Sequence, residues 1–208
     1  MKNKNKAILF VLISAAGFAG MNLFVKMSGD LPFMQKFFFR NFVALFVALG
    51  VMLKQKVSFI PPKGTFKYIF CRSLFGGLGM IANFYAIDHL VIADASMLNK
   101  LSPFFAIIFS IILIKEIPKP YQVVCVITAF LGAMFILKPG VSGLLNFPAF
   151  IGLLGGAGAG LAYTNVRLAT SKGAPKPLIV AFFSCFTCLL CLPWFIANFT
   201  QMSGFQLF

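Results

Sequence analysis

Long apolar runs separated by short polar breaks make up almost the whole chain. Each run is close to the roughly 20 residues that a helix needs to cross the hydrocarbon core of a bilayer. The strands of an outer-membrane barrel would instead show segments of about ten residues with alternating polarity. The pattern therefore predicts an all-α membrane protein, a polytopic helical bundle. Its seven predicted transmembrane helices cover residues 7–25, 34–53, 66–87, 92–114, 121–137, 148–166 and 177–199.

The composition supports a lipid environment for these helices. Hydrophobic residues make up 60% of the chain, charged residues make up 11%, and the mean hydropathy is +0.95. This leaves too little polar surface to cover a soluble globule of 208 residues. A net charge of +14 would indicate nucleic acid as the partner of a soluble protein. Here most of the charges lie in the breaks between spans or near span ends, so the expected partner is the lipid bilayer and no nucleic acid is expected.

The positive charge is concentrated on one side of the predicted bundle. The loops on that side hold Lys2, Lys4, Lys6, Lys54, Lys56, Lys63, Lys67, Lys115, Lys119, Arg167, Lys172 and Lys176. The loops on the other side hold Lys26, Lys36 and Lys138 beside Asp30, Asp88 and Asp94. Because cytoplasmic loops carry an excess of Lys and Arg, this asymmetry predicts a cytoplasmic N-terminus in a bacterial inner (plasma) membrane. Seven spans then place the C-terminus of this chain outside.

A short pattern near the N-terminus returns later in the chain. Ala16–Asn22 and Ala159–Asn165 share Ala-Gly-x-Ala-x-x-Asn at an offset of 143 residues, and Pro32 and Pro175 keep the same offset. A unit of that length contains five predicted spans, and an odd number of spans inverts the second copy in the membrane. We therefore expect an inverted repeat, cut short at the C-terminus, within a ten-helix protein. The two predicted units are residues 1–143, with five helices, and residues 144–208, with the first two helices of a second, incomplete unit.

Several motifs follow one another in an order that is typical of a known family. Asn83–Ala86 reads Asn-Phe-Tyr-Ala before a short loop, Pro103 lies within the fourth span, and Glu116 lies at its end. The other matching positions are Asn22, Lys26, Arg40, Arg72 and Gly132. In these features the chain resembles the EamA family of the drug/metabolite transporter superfamily. The resemblance implies two five-helix units, each EamA-like, and transport of a small organic metabolite.

Three basic residues fall inside predicted spans, where a charge is costly. Placing Arg or Lys at the centre of a membrane helix costs about 2.5–3.5 kcal/mol, and no carboxylate lies clearly within a span to neutralise Arg40, Arg72 or Lys100. One interpretation is a watery cavity in which Arg40 and Lys100 bind an anionic or zwitterionic solute. The alternative is that both side chains extend to the bilayer interface. Interfacial anchoring is the favoured interpretation for Arg72.

Amide and phenol side chains at membrane depth are the second set of candidates for solute binding. They are Asn22, Asn83, Asn99 and Asn165, with Tyr85 close to Asn83 and Tyr163 close to Asn165. These groups could line a solute path, or the amides could hydrogen-bond between helices. The repeat favours Asn22 and Asn165 as binding residues, because it places them at symmetric positions.

Other residues are expected to shape or gate the bundle rather than to bind solute. Gly152, Gly156 and Gly160 lie four residues apart on one helix face, which lets another helix approach closely. Pro103 removes a backbone donor within the fourth span and predicts a kink, either to form a cavity or to improve packing. Glu116 is interpreted as a structural ion-pair partner of a loop lysine, and proton coupling is its alternative role.

These features predict a secondary transporter, a permease that moves a small organic metabolite across the inner membrane by alternating access. The chain contains no Walker A motif, and no cofactor, metal or catalytic residue is expected. Coupling to a proton or another ion, and assembly into an oligomer, both stay open. The alternatives are a non-transporting membrane receptor or assembly subunit and, less favoured, a membrane-embedded enzyme. One His and four acidic residues offer no pairing of nucleophile and base for such an enzyme.

Overall fold

A computed structural model describes residues 8–9, 12–13, 16–17, 32–115, 117–137 and 146–199 of the chain. Residues 8–9, 12–13 and 16–17 are helical, and the longer described ranges hold seven helices and no strand. The helices are α1 (Phe33–Lys54), α2 (Phe66–His89), α3 (Ile92–Lys100), α4 (Ser102–Ile114), α5 (Pro120–Leu137), α6 (Phe147–Ser171) and α7 (Lys176–Ala197). The all-α prediction is confirmed over the described ranges.

Among the described residues, five stretches of helix are long and apolar enough to cross a bilayer. They are Met34–Lys54, Phe66–Ile87, Ala93–Ile114, Phe147–Ser171 and Lys176–Ala197. A shorter apolar stretch, Pro120–Gly132, belongs to α5, and most of the first predicted span lies outside the described residues. The chain is therefore a multi-pass membrane protein, while the total of seven spans and the inverted repeat stay predictions.

The fourth predicted span consists of two helices, α3 and α4, which meet at Leu101. The N–H of Leu101 donates to the carbonyl of Leu98 at 3.2 Å, a tighter turn than an α-helix makes. Pro103 lies in the first turn of α4, where it has no N–H to offer to the carbonyl of Asn99 and its ring crowds that carbonyl. The span is therefore interrupted two residues before the proline.

Packing divides the chain into two units, residues 1–40 with 191–208 and residues 41–190. In the first unit, aromatic rings make the main described contacts. The ring of Phe195 stacks on Phe38 with centroids 4.4 Å apart and meets Phe39 edge to face at 5.7 Å. Phe199 adds a further edge contact to Phe195 at 5.3 Å.

In the unit of residues 41–190, α6 packs along α2 on one side and along α3 and α4 on the other. Small residues make up most of its buried positions, so neighbouring backbones come close. A Cβ atom added to Gly155 would lie 2.9 Å from the backbone nitrogen of Asn83, and one added to Gly158 would lie 2.9 Å from the carbonyl oxygen of Phe75. Residue numbers thus rise along α6 as they fall along α2, and the two helices are antiparallel.

Candidate functional site

A cavity of about 320 Å³ lies between α4, α5 and α6. Its lining combines one cation and four uncharged polar side chains with small and branched apolar ones. The lining residues are Ala106, Ile107, Ser110, Pro118, Gln122, Val126, Tyr163, Thr164 and Arg167. All of them belong to the unit of residues 41–190. A site of this size and mixed polarity suits a small organic solute.

The series of small residues on α6 determines where this cavity begins. A Cβ atom on Gly156 would lie 2.7 Å from the carbonyl oxygen of Leu98, and one on Gly160 would lie 2.8 Å from that of Ser102. These glycines therefore hold α6 against α3 and α4 with no room for a side chain. The next residue at this spacing is Thr164, which lines the cavity. Beyond Gly160, α6 and α4 are far enough apart to leave the cavity between them.

Thr164 forms the boundary between the packed and the open parts of this helix pair. It is buried, and the single proton of its hydroxyl is shared between the carbonyl of Gly160 at 3.1 Å and that of Ala106 on α4 at 3.3 Å. The hydroxyl is thus satisfied by backbone on both helices. The contact with Ala106 holds α4 against α6 beside the cavity, and the Thr164 hydroxyl proton is used by backbone and not by a solute.

Arg167 supplies the charge of the cavity. The sequence pattern placed it in the loop after a span ending at residue 166, but α6 continues to Ser171, so Arg167 is on the helix. Among the lining residues that the structure describes, none is acidic. A guanidinium donates two parallel hydrogen bonds to a carboxylate or phosphate. Arg167 thus contributes a cationic group to the lining of the cavity.

Arg72 lies on α2 and packs against a ring instead of a carboxylate. Its guanidinium carbon is 4.1 Å from the centroid of Phe183, and its Nε is buried with no hydrogen-bond partner among the described residues. Gly76, one turn further along α2, provides the space, because a Cβ there would collide with the guanidinium. Arg72 is not among the residues that line the cavity.

The predicted amide residues are not brought together. Asn165 is buried, and its Nδ2 donates to the carbonyl of Leu161 at 2.8 Å within its own helix. Asn83 is half-buried, and its Oδ1 is buried with no hydrogen-bond partner in the described part of the chain. Because Asn83 faces Gly155, ten residues before Asn165, the two amides are separated by about 15 Å along the helix axis.

The remaining candidates lie at several places. Asn99 and Lys100 are exposed at the end of α3. Tyr85 is partly exposed and stacks on His89 with ring centroids 4.1 Å apart. Arg40 is half-buried on α1 and belongs to the first packing unit. The predicted positions Asn22 and Glu116 lie outside the described residues.

Sequence reasoning therefore missed most of the residues that line the cavity, although Tyr163, one of its phenol candidates, is among them. Ser110, Gln122 and Thr164 are single polar residues in separate apolar runs, and nothing in their spacing links them. Arg167 was recognised only as one of the loop cations. Identifying Arg167 required the prediction that the helix continues five residues beyond its apolar stretch.

These elements define a class, a multi-pass α-helical membrane protein with a small polar cavity between its spans. Comparison with known proteins identifies the family. Residues 5–138 match the EamA-like transporter family, and the chain belongs to that family. The protein is thus a member of a transporter family and not an enzyme.

Individual relatives carry transporter names. The chain is similar to a pseudopaline exporter, CntI, of Pseudomonas aeruginosa, with 29% identity over 195 residues that cover 92% of this chain and 67% of the exporter. An uncharacterized transporter of Helicobacter pylori is 27% identical over 182 residues, 84% of this chain and 59% of the relative. Solute carrier family 35 member G1 of Homo sapiens is 29% identical over 132 residues, 64% of this chain and 36% of the relative. The chain thus spans about two-thirds or less of the length of these relatives. No solved structure matches it significantly.

Proposed function

We propose that this protein acts in secondary transport of a small organic metabolite across the bacterial inner membrane, by alternating access. Membership of the EamA-like transporter family supports transport. The cavity between α4, α5 and α6 supports a small solute, because its volume of about 320 Å³ lies at the lower end of the range for small-molecule sites. Similarity to a pseudopaline exporter makes export the direction to test first.

The solute is proposed to be anionic or zwitterionic, and Arg167 carries this part of the proposal. Its guanidinium is the one charge among the lining residues that the structure describes. In the proposal it contacts the solute in addition to its existing interaction within the protein. In a site surrounded by apolar spans, a fixed charge acts on a solute more strongly than it would in water. Tyr163 and Gln122 add groups that can donate hydrogen bonds to the same solute.

The proposed architecture for alternating access has seven spans in this chain and an inverted relation between residues 1–143 and 144–208. The pair of Asn22 and Asn165, at the same place in the two units, supports the inverted relation. Alternating access then follows if one unit rocks against the other around a site near the midplane. The basic loops support a cytoplasmic N-terminus.

Other solute contacts are proposed from the sequence. They are Arg40, Asn83, Tyr85, Asn99 and Lys100. The described structure leaves these side chains apart from the cavity lining, so their contribution requires a second arrangement of the helices. Coupling to a proton or another ion is part of the same proposal.

Transport in proteoliposomes tests the function. Vesicles containing the chain are preloaded with radiolabelled succinate, glutamate, histidine or spermidine, and release is measured with and without a proton gradient. Release of an anionic or zwitterionic probe, but not of cationic spermidine, is the expected result. Arg167→Gln should slow that release about tenfold, which corresponds to about 1.4 kcal/mol of lost interaction with the negative group of the solute.

Lys176→Gln is the matched control, because Lys176 is an exposed cation that does not line the cavity. Equal slowing in the two variants would contradict a role for Arg167 in binding. Binding of a probe without any release would favour the alternative, a receptor or assembly subunit.

A further inference from the structure

Two lysine side chains converge on the phenol of Tyr68 in the first turn of α2. The Nζ atoms of Lys67 and Lys172 each lie 5.0 Å from the centroid of the Tyr68 ring. Both lysines are exposed, whereas the ring is half-buried. Two like charges therefore stand beside one phenol at the surface of the protein.

The backbone holds this group in place. Tyr68 packs against the buried core of the unit of residues 41–190, and its N–H donates to the carbonyl of Thr65 at 3.0 Å. Lys172 follows the last residue of α6 as its C-terminal cap, and its N–H donates to the carbonyl of Leu168 at 3.3 Å. Gly173 follows with a φ of 86°, a conformation that glycine adopts without strain. Because this backbone is already held by hydrogen bonds, binding of a ligand here would cost little backbone conformational entropy.

Within the described part of the chain, no acidic side chain lies beside this group. The first turn of α2 contains no acidic residue, although the N-terminal end of a helix carries a partial positive charge. The C-terminal end of α6 carries a partial negative charge, and Lys172 is the lysine of this group that lies beside it. Asp94 is the single carboxylate among the side chains that the structure describes, and it lies in the first turn of α3, beyond the opposite end of α2. An anion placed between the two lysines would relieve their repulsion.

We propose that Lys67, Tyr68 and Lys172 form a binding site for a phosphate group, with an anionic phospholipid headgroup as its ligand. The two ammonium groups and the phenol hydroxyl would donate hydrogen bonds to the phosphate oxygens. The apolar stretches of α2 and α6 begin at Phe66 and end at Ser171, so the site lies at the depth of the lipid headgroups. Lysines at this depth attract anionic lipid. This site is separate from the cavity and independent of the proposed transport.

Calorimetric titration of the full chain in a neutral detergent tests the site, with phosphatidylglycerol, phosphatidylcholine and inorganic phosphate as separate probes. The double variant Lys67→Gln/Lys172→Gln should bind phosphatidylglycerol about tenfold or more weakly. The matched control is Lys119→Gln/Lys176→Gln, which removes the same charge from two other exposed lysines and should bind normally. Tyr68→Phe keeps the ring and should weaken binding less than the double variant does.

The substitution Lys67→Arg/Lys172→Arg keeps both charges and should retain binding, which separates a binding defect from misfolding. If phosphatidylglycerol alone binds, and only the glutamine variant at positions 67 and 172 loses it, the ligand is the lipid headgroup. If inorganic phosphate binds with the same dependence on these lysines, the site accepts a soluble phosphate. Equal losses in the two double variants, or equal affinity for phosphatidylcholine, would overturn the proposal.

Discussion

The guanidinium carbon of Arg72 on α2 lies 4.1 Å from the centroid of the Phe183 ring on α7. The face of an aromatic ring attracts a cation, and the attraction increases when both groups lose water. Gly76 allows this contact, since a Cβ at that position would collide with Arg72 and lie 3.2 Å from Phe183. An aromatic ring and a glycine thus accommodate a positive charge within a membrane-spanning helix.

Replacing Phe183 by leucine should lower the free energy of unfolding by about 1–2 kcal/mol, because the guanidinium loses the ring face beneath it. Titration with a denaturing detergent measures this change. Phe186→Leu is the control, since that ring makes an edge contact with Phe70 at 5.8 Å that involves no cation. In an Arg72→Met background the effect of Phe183→Leu should shrink by the same amount. An undiminished effect in that background would contradict the cation–ring attraction.

Gly156→Ala should destabilise the protein by about 1–3 kcal/mol, the usual cost of overfilling a packed contact. Its Cβ would lie 2.7 Å from the carbonyl oxygen of Leu98, a backbone atom that cannot rotate away. Gly50→Ala on α1 is the matched control, since no atom lies within 4 Å of its Cβ. That change should be neutral or stabilise by up to about 1 kcal/mol. Equal melting temperatures for the two variants would show that α6 does not need glycine at position 156.

The thickness of the bilayer explains why helix bounds could be predicted from the sequence. The predicted spans 34–53 and 66–87 agree closely with the stretches Met34–Lys54 and Phe66–Ile87, because the length of an apolar run has to match the hydrocarbon core. The end of α6 at Ser171 was less predictable. Helical hydrogen bonding continued past the apolar run into polar residues, and this extension placed Arg167 on a helix.

The cavity could not be predicted, because it depends on which helices become neighbours. The spacing of Gly152, Gly156 and Gly160 indicated one close helix contact but not the identity of the partner. The structure pairs these glycines with α3 and α4, and the cavity opens beyond them. Ser110 on α4 and Gln122 on α5 line the same cavity because of how their helices pack, so their positions in the sequence carried no signal.

Arg40→Ala and Lys100→Ala are each predicted to slow transport of an anionic or zwitterionic probe about tenfold while leaving membrane insertion intact. In a medium of low dielectric constant, a cation near the path would stabilise the negative group of the solute. Proteoliposome assays measure transport, and alkaline extraction of membranes measures insertion. Lys54→Ala at the exposed end of α1 is the control and should transport normally. Unchanged transport in both test variants would exclude these two cations from the solute path.

Labelling of single cysteines should place the loops at the two ends of α2 on opposite sides of the membrane. In a background without the five native cysteines, Lys63→Cys should react with an impermeant maleimide in inverted vesicles, because its loop is rich in lysine. Val91→Cys, at a position that is 70% exposed between α2 and α3, should react in intact cells. Labelling of both from one side would contradict α2 as a span. The reverse pattern would keep the span and contradict the cytoplasmic N-terminus, since charge bias would then not determine the orientation.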